Sequence, residues 1–473
     1  MSRKRNLNLN LNTMCSWFQT FLLLLGFFAT TALAKNPSRP IRFELIHRHA
    51  HELSDRVARP LNRSQRVQEL LQSDNQRTRM ISEMVHRRRA AEIPQNASSF
   101  SMPLFSGAYS RTGQYFVRFR VGTPAQRFLL VADTGSDLTW MNCRYNCPHC
   151  EDSGRLDRRR IFYADRSRTF RPISCASNMC KNELPLTLTK CPTPASPCLY
   201  DYRYGDGSST LGFHANESAT VTLSTGEKAK FKNLVIGCSS TFEGSSFREA
   251  DGVLGLGYSK HSFAAKATTR LGGKFSYCLV DHLSTKKVSS YISFGSSNFT
   301  SARMRYTNLL VSQPSDPFYA VEVVGISVNN TMLKIPRSAW DLIRDGGVIV
   351  DSGTSLTVLV EQAYRVVMAA LSKALKSFPR VDEQPFEFCF DATQGYDEAA
   401  VPRLGVHFKG GARFEPAVKS YVVAVADGVK CLGFLPTTSP GVSMFGNILQ
   451  QNFLWEFDIA RGRLGFRPSK CAS

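Results

Sequence analysis

The chain has 473 residues, 42% of them hydrophobic, and carries a formal net charge of +21. That length allows two domains, each large enough for a real core, after N-terminal processing. The charge suggests nucleic acid, but the basic residues are not grouped with aromatics on a recognisable module, so they read as solvated loops. Attraction to an acidic polysaccharide outside the cell is a weaker reading, which salt would abolish.

Arg3, Lys4 and Arg5 precede an apolar run from Phe18 to Phe28 and then Ala32-Leu33-Ala34. That is the layout of a secretory signal cleaved after Ala34. Gln19 and Gly26 interrupt the short run, which disfavours a retained anchor. No later stretch is long and apolar enough to cross a bilayer, and no hydrophobic tail follows Cys471. A soluble product without a membrane anchor is expected.

The next segment, to about Ser99, is Arg-rich and lacks cysteine. Val67, Leu70, Leu71, Met80, Ile81, Met84 and Val85 recur in it at helical spacing. Arg87-Arg88-Arg89 reads either as a processing site or as a basic helix end facing solvent. From Gly113 the pattern turns to β. Alternating runs such as Tyr115 to Val121 and Phe318 to Val324 are bounded by Gly, Pro and Asn. Helical patterns are few, Glu361 to Leu375 being the best, so an all-β protein of two lobes is expected.

The mature chain would hold twelve cysteines, since the thirteenth, Cys15, lies in the signal. An even count in an oxidising compartment reads as disulfides. Cys143, Cys147, His149 and Cys150 have zinc-like spacing, but the secretory context argues against a metal. The stretch from Cys143 to Cys198 has little periodicity and reads as a surface insert held by disulfides. Sequons at Asn96, Asn216, Asn298 and Asn329 suit an exported protein; Asn62 lies in the Arg-rich segment.

Two distant segments carry the chemistry. Val131-Ala132-Asp133-Thr134-Gly135-Ser136 and Ile349-Val350-Asp351-Ser352-Gly353-Thr354 both run from an apolar strand into Asp, hydroxyl, Gly, hydroxyl. A buried carboxylate is costly unless hydrogen-bonded, and the Gly and hydroxyl residues supply donors. Two copies suggest a duplicated lobe giving one carboxylate each to a shared site, where the pair can share one proton. No G-x-S-x-G elbow, P-loop or spare thiol offers another chemistry.

With Gly113-Gln114-Tyr115-Phe116, Val121-Gly122-Thr123-Pro124, Asp251-Gly252-Val253-Leu254-Gly255 and Met444-Phe445-Gly446-Asn447, these turns resemble a pepsin-family aspartic peptidase. Within it the chain is similar to the nepenthesin-like plant branch, from about Gly113 to Cys471. The resemblance implies a bilobal pepsin-like aspartic protease fold: two pseudo-symmetric β lobes, a central cleft and few short helices. Residues 1–34 would be signal, 35–105 an inhibitory prosegment, 106–300 one lobe with the Cys-rich insert at about 143–198, and 301–473 the other.

Asp133 and Asp351 would then be the catalytic dyad. Thr134 and Ser352 would hydrogen-bond across to the opposite turn, Gly135 and Gly353 would shape the turns, and Ser136 and Thr354 would donate to the outer carboxylate oxygens. Tyr204 and Gly205 would belong to a flap over the substrate, with Trp140 bonded to the tyrosine. The implied disulfides are Cys143–Cys147, Cys150–Cys238, Cys175–Cys198, Cys180–Cys191, Cys278–Cys471 and Cys389–Cys431. The expected activity is endopeptidase hydrolysis of polypeptides in acid by a secreted or vacuolar monomer. No metal, cofactor or nucleic acid is expected. The alternative is a silent relative acting as a binding protein or glycosidase inhibitor in the cell wall.

Overall fold

The computed structural model describes residues 41–47, 64, 65, 67, 74, 78, 81, 115–146, 160–184, 193–203, 209–222, 228–243, 250–281, 290–295, 303–311, 317–342, 346–437 and 441–471. The expected signal peptide, Cys147, Cys150, Cys191, Tyr204, Gly205, Asn62, Asn96 and Asn298 lie outside the described residues.

Strands dominate, as the β-branched and aromatic runs require. One antiparallel sheet draws on both halves of the sequence. Across it lie, in turn, Tyr115–Val121, Ile41–His47, Ser290–Phe294, Lys274–Cys278, Phe453–Asp458, Arg463–Pro468 and Arg305–Leu310. Phe275 and Phe457 face each other in register and stack at 4.7 Å. Such a pair is worth about 1 kcal/mol beyond the area it buries.

The strand Ile41–His47 belongs to a region in which the sequence reading found only a helical pattern. Its alternation is visible in hindsight: Phe43 and Leu45 are buried while Arg42 and Glu44 face solvent. The Phe43 ring lies 5.9 Å from Phe119 and 6.0 Å from Phe294. Farther along, Ser64, Gln65, Val67, Asp74, Thr78 and Ile81 are helical, and Val67 and Ile81 are buried.

Each half of the chain contains the same strand device. In the first, Gln126–Asp133 pairs antiparallel with Tyr115–Val121 and parallel with Gly252–Gly255, which also meets Trp140–Arg144. In the second, Val348–Val350 pairs antiparallel with Ala320–Val321 and parallel with Ser443–Phe445, which also meets Thr357–Val360. The central strands are covered on both faces, so they read as unbroken apolar runs rather than alternating ones.

Helix Glu361–Ala374 forms where expected and buries Ala363, Tyr364, Val367, Met368 and Leu371. A second helix, Phe263–Arg270, was not anticipated. Ser262 caps it, its hydroxyl accepting the Ala265 N–H at 3.2 Å.

The Cys-rich stretch is more than a surface insert. Phe162 and Phe170 are buried in the main core, and Phe162–Tyr163 pairs in parallel with Cys143–Arg144. Two implied cysteine pairings are replaced here. Cys143 bonds Cys238, not Cys147, because Met141 lies opposite Cys238 on the neighbouring parallel strand; the cysteine Cα atoms are 5.0 Å apart. That also removes Cys150–Cys238.

Cys198 bonds Cys180 instead of Cys175, which removes Cys175–Cys198 and Cys180–Cys191; the turn Met179–Glu183 brings Cys180 to a Cα separation of 5.8 Å. Cys175 is itself disulfide-bonded. Cys278–Cys471 and Cys389–Cys431 form as implied, the latter between directly opposed residues of an antiparallel pair. Of the sequons, Asn329 is exposed in a two-residue hairpin turn, while Asn216 is half-buried within Ser209–Thr222.

Candidate active site

The buried strand Gln126–Asp133 ends on a fully buried carboxylate. The Gly135 N–H donates to Asp133 Oδ1 at 2.9 Å, so the turn bonds its own acid. The parallel strand supports it from behind: Leu256 N–H donates to the Asp133 carbonyl at 2.9 Å and Gly257 N–H to the Ser136 carbonyl at 2.7 Å. A Cβ on Gly255 would lie 2.6 Å from the Asp137 carbonyl carbon, so this approach needs glycine.

The second turn repeats the plan. Gly353 N–H donates to Asp351 Oδ1 at 3.0 Å, and the Thr354 hydroxyl donates to Asp351 Oδ2 at 2.6 Å. Asn447 N–H donates to the Thr354 carbonyl at 2.7 Å, and a Cβ on Gly446 would lie 2.2 Å from the Leu356 carbonyl oxygen.

Behind it lies a network that sequence reading missed. The Gln450 amide donates to the carbonyls of Asp351 at 3.2 Å and Phe445 at 2.6 Å. Its own oxygen accepts the Tyr277 hydroxyl. Burial, and then the charge of Asp351, hold that phenol well above its ordinary pKa, so Tyr277 remains a donor.

The two turns are joined directly. Ser352 N–H donates to Thr134 Oγ1 at 2.9 Å, and Thr134 N–H donates to Ser352 Oγ at 3.1 Å. Each residue after an aspartate thus accepts from the opposite turn, a near-twofold exchange between residues 218 apart in sequence. The hydroxyls complete the lock: Thr134 Oγ1 donates to Ser352 Oγ at 3.2 Å, and Ser352 Oγ donates to the Ala132 carbonyl at 3.3 Å. Two buried carboxyls therefore each stand one residue from this lock.

One expectation changes. Ser136 is buried, but its hydroxyl makes no hydrogen bond among the described residues, so it does not mirror Thr354. Trp140 is buried beside Phe242, with ring centroids 5.9 Å apart, while its expected partner Tyr204 lies outside the described residues. Tyr202, on the strand Leu199–Arg203, donates to Asp137 Oδ1 at 2.9 Å, which ties that strand to the first turn. Among the described residues no three His, Cys, Asp or Glu side chains group as a metal would need, and Cys143 is committed to Cys238.

Comparison with known proteins places the chain. Residues 115–296 match the family described as xylanase inhibitor N-terminal, and residues 318–468 match xylanase inhibitor C-terminal. The aspartyl protease family protein 2 of Arabidopsis thaliana is 36% identical over 413 residues, covering 85% of this chain and 80% of that protein. Nepenthesin-2 of Nepenthes gracilis is 30% identical over 383 residues, 80% of this chain and 82% of its own length.

Among solved structures, basic 7S globulin from soybean superposes with a TM-score of 0.59 at 19% identity, covering 76% of this chain and 92% of that one. Conglutin gamma from lupine seeds gives 0.58 at 21%, covering 75% and 91%. At those identities the structures establish the bilobal all-β fold alone.

Proposed function

Because the chain belongs to the pepsin-like aspartic protease family, in its nepenthesin-like plant branch, we propose that it is an aspartic endopeptidase working through Asp133 and Asp351. The observation that carries this reading is the reciprocal lock between Thr134 and Ser352, with a bonded, buried carboxylate beside each.

Like charges held close together do not both ionise, so in acid the pair keeps one proton. The ionised carboxyl takes a proton from a water molecule as its oxygen attacks the scissile carbonyl. The protonated carboxyl polarises that carbonyl and gives its proton to the oxygen, forming a neutral gem-diol without a covalent intermediate. On collapse the carboxyl that took the water proton passes it to the leaving nitrogen while the other accepts one gem-diol hydroxyl proton, so the pair again holds a single proton. Thr354 and the glycine N–H groups fix the carboxyl orientations throughout.

The substrate is an extended polypeptide bound as a strand, with bulky apolar side chains flanking the cut. Residues 35–105 act as an inhibitory prosegment, and the mature protein is a secreted or vacuolar monomer. The N-terminal signal layout supports export.

The test is to acidify the purified precursor and follow cleavage of a denatured protein, with and without a peptidic statine inhibitor. Asp133→Ala and Asp351→Ala should each lower the rate about a thousandfold or more. Unchanged proteolysis in both would exclude the dyad. Inactivity of every form, including the wild type, would favour the second reading, a silent binding protein, which the inhibitor description of the matching family supports.

A further inference from the structure

One buried acid outside the dyad touches the catalytic machinery. Asp74 is fully buried, and its carboxylate accepts the N–H of Ser355 at 2.9 Å and the N–H of Leu356. Those residues follow directly on Asp351-Ser352-Gly353-Thr354. The carbonyls of the same stretch are held from the C-terminal half, Thr354 by Asn447 N–H at 2.7 Å and Ser355 by Ile448 N–H at 3.0 Å. The backbone leaving the second turn is therefore clamped through its carbonyls by the lobe and through its N–H groups by residue 74. Hydrogen bonds to a charged acceptor are about twice as strong as neutral ones.

The segment that carries Asp74 is fastened elsewhere too. The Ser64 hydroxyl donates to Glu383 Oε1 at 3.0 Å. Val67 and Ile81 are buried, and Ile41–His47 is paired along both of its edges. A plain structural contact would serve a permanent part of the fold. Residues 35–105 have the marks of a removable part: no cysteine anchors them and Arg87-Arg88-Arg89 invites cleavage. Beneath Asp74 the Ser355 hydroxyl is buried and makes no hydrogen bond among the described residues, so the site remains polar once the segment leaves.

We infer that Asp74 is an autoinhibitory latch, its carboxylate tying the N-terminal segment to the backbone that leaves the second catalytic turn. The tie stands on geometry; that it restrains catalysis rests on the dyad reading above.

The full chain carrying Asp133→Asn, which blocks self-cleavage, is compared with the same chain also carrying Asp74→Ala, Asp74→Asn or Ser64→Ala. Amide hydrogen exchange of residues 353–358 should quicken about tenfold in Asp74→Ala and less in Asp74→Asn. Ser64→Ala should leave it unchanged, as should all variants at the sheet strand Lys274–Cys278. Equal exchange at 353–358 with and without Asp74 would overturn the tie. If Asp74→Ala also loses protection at Lys274–Cys278, the near-isosteric Asp74→Asn decides.

A second arm keeps the dyad intact and measures binding of a statine peptide to the uncleaved chain. Asp74→Ala should bind it about tenfold tighter; equal affinity would overturn the autoinhibitory role. If the statine peptide binds no form, including the trimmed chain, the dyad reading falls and with it the autoinhibition, while the exchange arm still decides the tie.

Discussion

The two aspartate turns share a backbone plan and differ in what stands around it. In both, a glycine N–H bonds the aspartate two residues earlier, at 2.9 Å in the first and 3.0 Å in the second. In both, a parallel strand presses a glycine against the turn. The Thr354 hydroxyl donates to the second aspartate, whereas among the described residues the Ser136 hydroxyl makes no hydrogen bond. Gln450 braces the second turn and Asp74 reaches it. The first is tied instead to the strand leading to Tyr204, through Tyr202 and Asp137. The two turns thus share the geometry that buries their acids, while the side chains around each differ.

The largest test asks whether the shared plan is needed equally in both halves. Gly255→Ala and Gly446→Ala each drive a methyl into backbone and should each cost about 3 kcal/mol or more in thermal unfolding. Gly446→Ala, the tighter clash, should cost more; a benign effect in either would break the symmetry. Next comes the difference. Thr354→Val removes a donor from a buried carboxylate and should cost about 2 kcal/mol with a matching fall in kcat/KM. Ser136→Ala should stay within about 0.5 kcal/mol. Equal effects from the pair would mean that the hydroxyls are interchangeable after all.

Gln450→Leu leaves the Tyr277 hydroxyl and the Asp351 carbonyl without their partner and should cost about 1–3 kcal/mol by chemical denaturation. A neutral result would show that the brace on the second turn is redundant. The smallest effect concerns the insert found only in the first half. The hydrogen bond from Lys260 holds the Glu183 carboxyl below its ordinary value of 4.5. Its stabilising contribution is therefore complete above that ordinary value and is lost as pH falls through the lower folded one. Melting curves of Glu183→Gln should lie slightly below wild type near neutrality and merge with it in strong acid. A gap that widens on acidification would contradict the assignment.

The paired Asp turns and the two glycine strands were legible because each is a local pattern. An apolar run, an acid and a glycine two residues on already specify a turn that bonds its own carboxylate. Helix Glu361–Ala374 was legible through its spacing. The strand Ile41–His47 carries a local alternation, but it lies in a segment where helical spacing is the longer pattern. The cysteine pairings misread, Cys143–Cys238 above all, depend on which strands become parallel neighbours, and no spacing along the chain encodes that.

Chain order alone determined the chemistry available: two carboxylates at strand ends, each with its own donor within two or three residues. Folding decided everything that couples them. The exchange between Thr134 and Ser352 spans 218 residues and the bond from Ser355 to Asp74 spans 281. Contacts at such separations form only after the sheets have set their register, because no local preference of either residue favours its distant partner over any other donor or acceptor.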